Sequence, residues 1–257
     1  MLPIVPATEA KAGHTPGLDG IRGIAVLLVM LHHFVGVGNA FLPANRVLSG
    51  FAATGWLGVD VFFVLSGFLI TRILLGTKSG AGYFRNFYAR RTLRIFPLYF
   101  ASVAIVLAVS RWLEPPTTEA ALLRAHQAWH WLYGVNFLSV LTSAHLFSAW
   151  FSVNHFWSLA IEEQFYLVWP AVVRFSRSRS FAWVCAAVAL TSIVARAWAH
   201  RSLGGRAAYL LTYARLDTLM IGALLAVSSL HRSGEDLRLV GLPVRWLGSR
   251  GRCRRSG

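Results

Sequence analysis

Six apolar stretches, each about as long as a membrane-spanning helix, constrain the fold more than any other feature of this chain. They cover residues 18–37, 54–75, 95–112, 154–173, 180–199 and 208–230. A helix needs roughly 20 consecutive apolar residues to cross the hydrocarbon core of a bilayer. The composition agrees, because 56% of the residues are hydrophobic and only 14% are charged, a smaller charged share than soluble domains have. We therefore expect an all-α fold, a polytopic integral-membrane helical bundle with about six to eight transmembrane helices.

Basic residues between these stretches predict how the chain is oriented. Lys and Arg are densest from residue 72 to residue 94, directly after the second stretch. Cytoplasmic loops carry an excess of Lys and Arg, so this segment is expected in the cytoplasm. The N-terminus is expected there too, because two spans separate it from this segment. Residues 83–95, where aromatic side chains alternate with Arg, predict an interfacial helix, with Pro97 in the first turn of the span that follows.

The chain divides into three predicted parts. Residues 1–17 are a cytoplasmic N-terminal arm, residues 18–231 the transmembrane domain, and residues 232–257 a basic, disordered cytoplasmic tail. The stretch 130–150 is apolar but interrupted, and its topology is open. A full crossing would place the tail outside, whereas a stretch that dips into the bilayer or crosses it twice keeps the tail in the cytoplasm. The positive-inside rule favours the second arrangement.

The formal net charge of +15 raises the question of nucleic-acid binding. The Lys and Arg residues lie between the apolar segments and in the tail, which is the distribution of a membrane protein, so no nucleic-acid partner is expected. Cys185 and Cys253 predict neither a disulfide framework nor a zinc site, and no metal site is expected.

The first apolar stretch carries two polar side chains on one face of the predicted helix. Arg22 and His33 are eleven residues apart. At about 100° per residue they return to within roughly 20° of each other, whereas His32 is turned about 80° away from Arg22. Ionisable groups inside membrane segments are rare and indicate functional sites. His33 is therefore a candidate general base, with a hydrogen-bonded packing histidine as the alternative.

Asp60 lies inside the second stretch, where a carboxylate costs at least about 2–3 kcal/mol. A second helix antiparallel to the first would bring Asp60 to the depth of His33. A carboxylate there would fix the tautomer of the imidazole and support its protonated form. Gly58 and Gly67 predict close approach of neighbouring helices. An ion pair that only orients the helices is an equally open interpretation of Asp60.

The stretch 154–173 carries two carboxylates. Ser158, Glu162 and Tyr166 recur every four residues and predict a polar stripe that faces the bundle interior. Glu163 is turned about 100° from that stripe and is expected to make a different contact. Two carboxylates within one span are expensive, which favours function over packing.

Two further pairs of charges lie at predicted membrane surfaces. Arg91 and Arg94, at positions i and i+3, share a helix face and can bind the phosphates of a nucleotide-like thioester donor made in the cytoplasm. Ordinary positive-inside charge in contact with anionic lipid explains them equally well. Arg215 and Asp217 begin the last stretch, and an interfacial location favours a structural role for both.

Five segments, in order over residues 17 to 226, resemble the successive motifs of the membrane acyltransferase-3 family. They read GLDGIRGIAVLLVMLHHF, GWLGVDVFFVLSGFLIT, FYARRTLRIFPLYF, FWSLAIEEQFYLVWP and ARLDTLMIGALLA. That family includes O-acyltransferases of lipopolysaccharide, exopolysaccharide, peptidoglycan and macrolides. The resemblance implies a helical fold of about ten spans in the bacterial cytoplasmic (inner) membrane, with acyl-CoA as donor substrate and no bound cofactor. Because the later family helices have no counterpart, we expect a C-terminal truncation relative to the family.

The resemblance also implies roles for individual residues. Arg22 and His33 match the family's Arg-x10-His pair, with His33 as the catalytic histidine. Arg91 and Arg94 match its Arg-x-x-Arg element, associated with the acyl-CoA donor. Glu162 and Glu163 match its Glu-Glu-Gln-Phe-Tyr element. Asp60 and Ser66 match its GVD-FFVLSGF element. The expected catalytic residues are His33, Asp60, Glu162 and Glu163, and the expected substrate-binding residues are Arg22, Arg91, Arg94, Ser66, Tyr166, Arg215 and Asp217.

The expected function is transfer of an acyl group, in the first place acetyl, from cytoplasmic acyl-CoA to a hydroxyl of a carbohydrate or glycosylated acceptor. His33, supported by Asp60 or a glutamate, would deprotonate that hydroxyl or carry the acyl group, and Arg22 would anchor donor charge or the oxyanion. A proton-coupled secondary transporter is the alternative from another class, because buried Asp, Glu and His side chains can also relay protons. An inactive, truncated acyltransferase is the third possibility.

Overall fold

The structure is a computed structural model that describes residues 16–36, 54–112, 118–142 and 155–232. Within these ranges the chain forms helices and turns and no strand, which confirms the all-α expectation. Of the predicted arm and tail, residues 1–15 and 233–257 lie outside the described residues. The helices in chain order are α1 (Pro16–Gly36), α2 (Trp56–Gly76), α3 (Tyr83–Trp112), α4 (Thr118–Ala125), α5 (Gln127–Trp131), α6 (Val135–Leu141), α7 (Phe156–Phe175), α8 (Ser178–Leu203), α9 (Gly205–Leu210), a 3-10 helix (Thr212–Ala214) and α10 (Leu216–Arg232).

Three of the described helices are long and apolar enough to cross a membrane, by length and composition. They are α2, α3 and the part of α8 from Ser180 to Leu203. The stretch Leu216–Leu230 of α10 is a shorter apolar helix. The predicted class, a multi-pass helical membrane protein, is thereby confirmed, and the count of six to eight crossings stays a prediction.

Helix α3 differs from its prediction. The expected interfacial helix and the span after it form one helix of 30 residues, with Pro97 in its interior rather than in a first turn. At 1.5 Å per residue such a helix is about 45 Å long, enough to cross the hydrocarbon core and one headgroup region. The hydroxyls of Tyr83 and Tyr88 bind carbonyl groups of α7. These bonds attach the first turns of α3 to α7.

Contacts at both ends show that α3 and α7 run antiparallel. Near the start of α3, the Tyr83 hydroxyl donates to the carbonyl oxygen of Pro170, at 3.1 Å. Further along α3, the ring of Tyr99 lies 5.0 Å from the ring of Phe156 at the start of α7. The end of α3 and the start of α7 are therefore at the same end of the bundle. The topology of residues 130–150 stays a prediction, because residues 113–117 and 143–154 lie outside the described residues.

The described part of that stretch is not one long helix. Helix α5 has five residues and α6 has seven. Between them Tyr133 adopts a φ of 53°, and the N–H of Gly134 donates to the carbonyl oxygen of Trp129 at 2.7 Å. A residue in the left-handed region followed by such a bond is the usual C-terminal stop of a helix. Residues 143–150 lie outside the described residues.

Two compact units, residues 1–65 and 66–257, make up the chain. In the first unit, α1 and the first part of α2 touch at Gly58, where a Cβ atom would lie 2.7 Å from the carbonyl oxygen of Ala25 and 2.8 Å from Cγ2 of Val29. In the second unit, a Cβ atom on Gly67 would overlap the carbonyl group of Leu219, so α2 and α10 pack backbone against backbone. Both glycines thus permit the close helix approach that the sequence predicts.

The rest of the second unit is held by helix packing and by ties between loops. Helix α8 packs against α9 and α10, and α6 packs against α7 and α9. Gly204, between α8 and α9, has a φ of 91°, which an L side chain rarely adopts. In the loop after α2, Nζ of Lys78 donates to the carbonyl oxygen of Ser176 at 2.7 Å. Burial there, and then the charge of Arg174, lower the pKa of Lys78.

Candidate functional site

A carboxylate with both oxygens hydrogen-bonded lies at the contact of α2 and α7. The hydroxyl of Ser66 donates to Oε1 of Glu162 at 2.7 Å, and the hydroxyl of Tyr166 donates to Oε2 at 3.1 Å. Glu162 and Tyr166 share one face of α7, as the four-residue spacing predicts. Further along the same two helices, Nε1 of Trp169 donates to the hydroxyl oxygen of Thr71 at 2.8 Å, so α2 and α7 run side by side in the same direction.

The guanidinium of Arg91, on α3, lies over the ring of Tyr166 in this cluster. Its central carbon lies 5.1 Å from the centroid of the Tyr166 ring, a cation–π geometry. Glu162 and Glu163 are both within electrostatic range of it. Arg94, one turn further along α3, is exposed. The two arginines of the predicted phosphate-binding pair therefore differ, since Arg91 belongs to the glutamate cluster and Arg94 faces outward.

Glu163 contacts a different environment, as its rotation on the helix predicts. Its Oε1 is buried and has no hydrogen-bond partner among the residues that the structure describes. The hydroxyl of Tyr133, within electrostatic range of Glu163, is buried and lacks a partner in the same described part of the chain. The two glutamates thus differ, because both oxygens of Glu162 accept hydrogen bonds from the protein, whereas Oε1 of Glu163 has no partner in the described part of the chain.

Gln164 organises a polar network that the sequence reasoning missed. Its Nε2 donates to the carbonyl oxygen of Tyr133 at 2.7 Å and to Oδ1 of Asn136 at 3.1 Å. The hydroxyl of Thr212 donates to Oε1 of the same glutamine. Nδ2 of Asn136 in turn donates to the hydroxyl oxygen of Thr212 at 3.0 Å and to the carbonyl oxygen of Leu210 at 3.2 Å. The network joins α6 and α7 to the 3-10 helix. The polar residues that interrupt the apolar stretches were the sequence signal from which such a network could have been expected.

Arg215 and Asp217 have protein partners. The guanidinium of Arg215 lies 4.9 Å from the centroid of the Tyr209 ring, and Arg215 is only 3% exposed. Asp217 forms an ion pair with Arg196 of α8, and its backbone N–H donates to the hydroxyl oxygen of Ser192 at 3.0 Å. The Asp217 contacts join the start of α10 to α8, and the Arg215 contact joins it to α9. The substrate-binding role of both residues stays a prediction. Arg196 was missed, although a lone arginine inside an apolar stretch was a usable signal.

The first unit contains the predicted histidine site. Arg22 and His33 both belong to α1, which confirms the single helix on which their shared face depends. Arg22 lies 3.8 Å from Asp19, one turn earlier, and both side chains are partly exposed. The side chain of His33 lies outside the described residues, and its pairing with Asp60 stays a prediction. In the described part of the chain, no three His, Cys, Asp or Glu side chains are grouped to hold a metal ion.

The sequence was compared with known proteins. A family model described as an acyltransferase domain matches residues 15–248. The peptidoglycan O-acetyltransferase OatA of Listeria monocytogenes is 32% identical over 169 residues, which cover 64% of this chain and 25% of that protein. The O-acetyltransferase OatA of Staphylococcus aureus is 32% identical over 232 residues, covering 83% of this chain and 34% of that protein. The chain thus spans about a quarter to a third of the length of these curated relatives. No solved structure matches it.

Proposed function

The chain belongs to the acyltransferase-3 family, and from this premise we propose that it is an integral-membrane O-acyltransferase. It moves an acyl group, in the first place acetyl, from acyl-CoA on the cytoplasmic side of the bilayer to a hydroxyl of a carbohydrate acceptor. The relative named as a peptidoglycan O-acetyltransferase supports a cell-wall glycan as the acceptor class. The proposed location is the bacterial cytoplasmic membrane, with the N-terminus in the cytoplasm.

One observation carries the proposal, namely the glutamate cluster of the second unit. Ser66 comes from α2, Arg91 from α3, and Glu162 and Tyr166 from α7, so three separate motif segments meet at one carboxylate. Burying ionisable side chains between apolar helices costs free energy. Such side chains are therefore rare, and they often mark a substrate site or a proton path. This gathering supports a site for a polar, charged substrate within the helical bundle.

The proposed reaction is an addition and elimination at the thioester carbonyl. The imidazole of His33 takes the proton of the acceptor hydroxyl while the hydroxyl oxygen attacks the carbonyl carbon. The new carbon–oxygen bond gives a tetrahedral oxyanion, which Arg22 stabilises. The carbon–sulfur bond then breaks, and the leaving CoA thiolate takes the proton from the imidazolium. Asp60 orients the imidazole and supports its charged form.

The arginines of α3 bind the donor in this proposal. Arg94 is exposed and can form paired hydrogen bonds with a phosphate of CoA. Arg91, held over the Tyr166 ring, places a second positive charge between the donor and the glutamates. The two residues would therefore affect donor binding differently. Arg94 would act through contact with a phosphate, and Arg91 would act both through its charge and through the glutamate cluster.

Replacing His33 by alanine tests the proposal. Membranes containing the full chain would be given radiolabelled acetyl-CoA and a peptidoglycan disaccharide, and label on the disaccharide would be counted. Loss of a general base slows such reactions by roughly 100-fold to 10,000-fold. His32→Ala is the matched control, because its side chain points away from the Arg22 face, and it should keep most of the activity.

Two results would overturn the proposal. Full transfer by His33→Ala would remove the histidine mechanism. If the radiolabel or the disaccharide crosses the membrane of wild-type vesicles and no labelled acetyl group becomes attached to the disaccharide, the result would instead indicate the transporter alternative.

A further inference from the structure

Tyr133 and Glu163 each present a buried polar atom without a hydrogen-bond partner in the described part of the chain. Both the Tyr133 hydroxyl oxygen and Oε1 of Glu163 are buried, and neither has a hydrogen-bond partner among the described residues. The groups lie within electrostatic range of each other. Nearly all buried polar atoms in native proteins are hydrogen-bonded, because an unsatisfied one loses its hydration without compensation. Two adjacent exceptions therefore require an explanation.

Aromatic packing holds the Tyr133 ring, and with it the hydroxyl, in place. The Tyr133 ring stacks on the Tyr99 ring with centroids 4.1 Å apart and planes 18° apart. The Tyr99 hydroxyl in turn donates to the carbonyl oxygen of His130 at 2.7 Å. Further ring contacts with Phe96 and Phe100, at 5.6 and 5.7 Å, close the other sides. Tyr133 is 8% exposed, so this aromatic packing aims the hydroxyl in one direction.

The backbone of Tyr133 is strained in a way that glycine would relieve. It is the only non-glycine residue with a positive φ among the described residues, at 53°. The position follows the end of α5, where a residue in the left-handed region is usually glycine. The Gln164 amide fixes the Tyr133 carbonyl at 2.7 Å, so the surroundings enforce this conformation. Strain of this kind persists where the side chain is needed, and it often marks a functional site.

We propose that Tyr133 and Glu163 together bind a hydroxyl group of the acceptor, an inference that rests on the proposed function. A hydroxyl group is both donor and acceptor, so it can donate to Oε1 of Glu163 and accept from the Tyr133 hydroxyl. The pair thus matches the chemical class of a sugar. Arg91 also lies within electrostatic range of Glu163.

Conservative substitutions separate binding from folding. Tyr133→Phe removes only the hydroxyl and keeps the stacked ring. Tyr99→Phe is the matched control, because it removes a hydroxyl from the same stack but one that bonds to the protein. The purified full chain in lipid nanodiscs would be assayed with acetyl-CoA and a peptidoglycan disaccharide, each varied in turn. A second measurement, the rise in Tm on adding the disaccharide alone, reports binding without chemistry.

Tyr133→Phe should raise the KM for the disaccharide about threefold to tenfold and leave the KM for acetyl-CoA unchanged. Glu163→Gln should raise the disaccharide KM about threefold to tenfold, since an amide replaces the carboxyl group at the proposed hydrogen bond. The double variant should raise the KM by less than the product of the two single effects, because both residues bind the same hydroxyl group. Tyr99→Phe should lower Tm without changing the KM for the disaccharide.

The outcomes distinguish this inference from the proposed function. If wild type transfers acetyl and Tyr133→Phe changes only Tm, the pair is structural and the inference is wrong while the function stands. If wild type transfers nothing but the disaccharide stabilises it in a Tyr133-dependent way, the function fails and the hydroxyl site stands. If there is neither transfer nor stabilisation, both are wrong.

Discussion

Replacing Gly67 by alanine tests the backbone contact between α2 and α10 that lies beside the glutamate cluster. A Cβ atom on Gly67 would lie 2.8 Å from the carbonyl carbon of Leu219, whereas ordinary contacts begin at 3.4 Å. The helices must therefore separate by at least about 0.6 Å. Leu219 is fully buried, and the ion pair of Asp217 with Arg196 holds the start of α10. Because no flexible side chain can yield, the overpacking should cost about 1–3 kcal/mol.

Gly23→Ala is the matched control, and its expected effect on stability has the opposite sign. A Cβ atom there meets nothing within 4 Å, so alanine inside α1 should gain about 0.5–1 kcal/mol from its better helix propensity. In thermal unfolding of the detergent-solubilised chain, Gly67→Ala should lower Tm by about 2–12 °C and Gly23→Ala should raise it by about 1–4 °C. Wild-type stability of Gly67→Ala would refute the close contact, and an equal loss at Gly23 would show that any helical glycine behaves alike.

Two further substitutions test ties within the second unit, each measured as the free energy of unfolding in SDS titrations. Ser66→Ala removes one of the two donors to the Glu162 carboxylate and should cost about 1.5–3 kcal/mol. Ser228→Ala, on an exposed face, is the control and should cost less than about 0.5 kcal/mol. Equal losses would contradict the stabilising role of the hydrogen bond between Ser66 and Glu162. Arg196→Ala leaves Asp217 without its partner and should cost about 1–3 kcal/mol, since the pair is only partly exposed. The exposed Arg94→Ala should change stability by less than about 0.5 kcal/mol, and a reversed ranking would overturn the structural role of the ion pair.

Some side-chain arrangements could be predicted because they depend on one helix only. The four-residue spacing of Glu162 and Tyr166 is a property of the helical repeat, and the structure shows their hydrogen bond. The rotation of Glu163 away from them follows from the same repeat. The shared helix of Arg22 and His33 is likewise set by an unbroken apolar run.

Other arrangements depend on residues far apart in sequence and could not be predicted. Ser66 and Glu162 are 96 positions apart, and no local pattern pairs them. The continuity of α3 through Pro97 is likewise not readable from the local sequence, because proline by itself favours the start of a helix. The partner of Asp217 could not be identified for the same reason, because any cation on a neighbouring helix satisfies the same local requirement.

By itself, the sequence determined that this chain is a helical membrane protein of the acyltransferase-3 family and which ionisable residues lie in its apolar stretches. Hydrophobic length and helical periodicity are local quantities, and the desolvation cost of a charge can be judged from its neighbours in sequence. Only the tertiary structure decided that each oxygen of Glu162 accepts a hydroxyl hydrogen bond, while Glu163 and Tyr133 have buried polar atoms without a partner among the described residues. Hydrogen-bond satisfaction is a property of packed helices, because it depends on which donors and acceptors the fold brings within about 3 Å of each other.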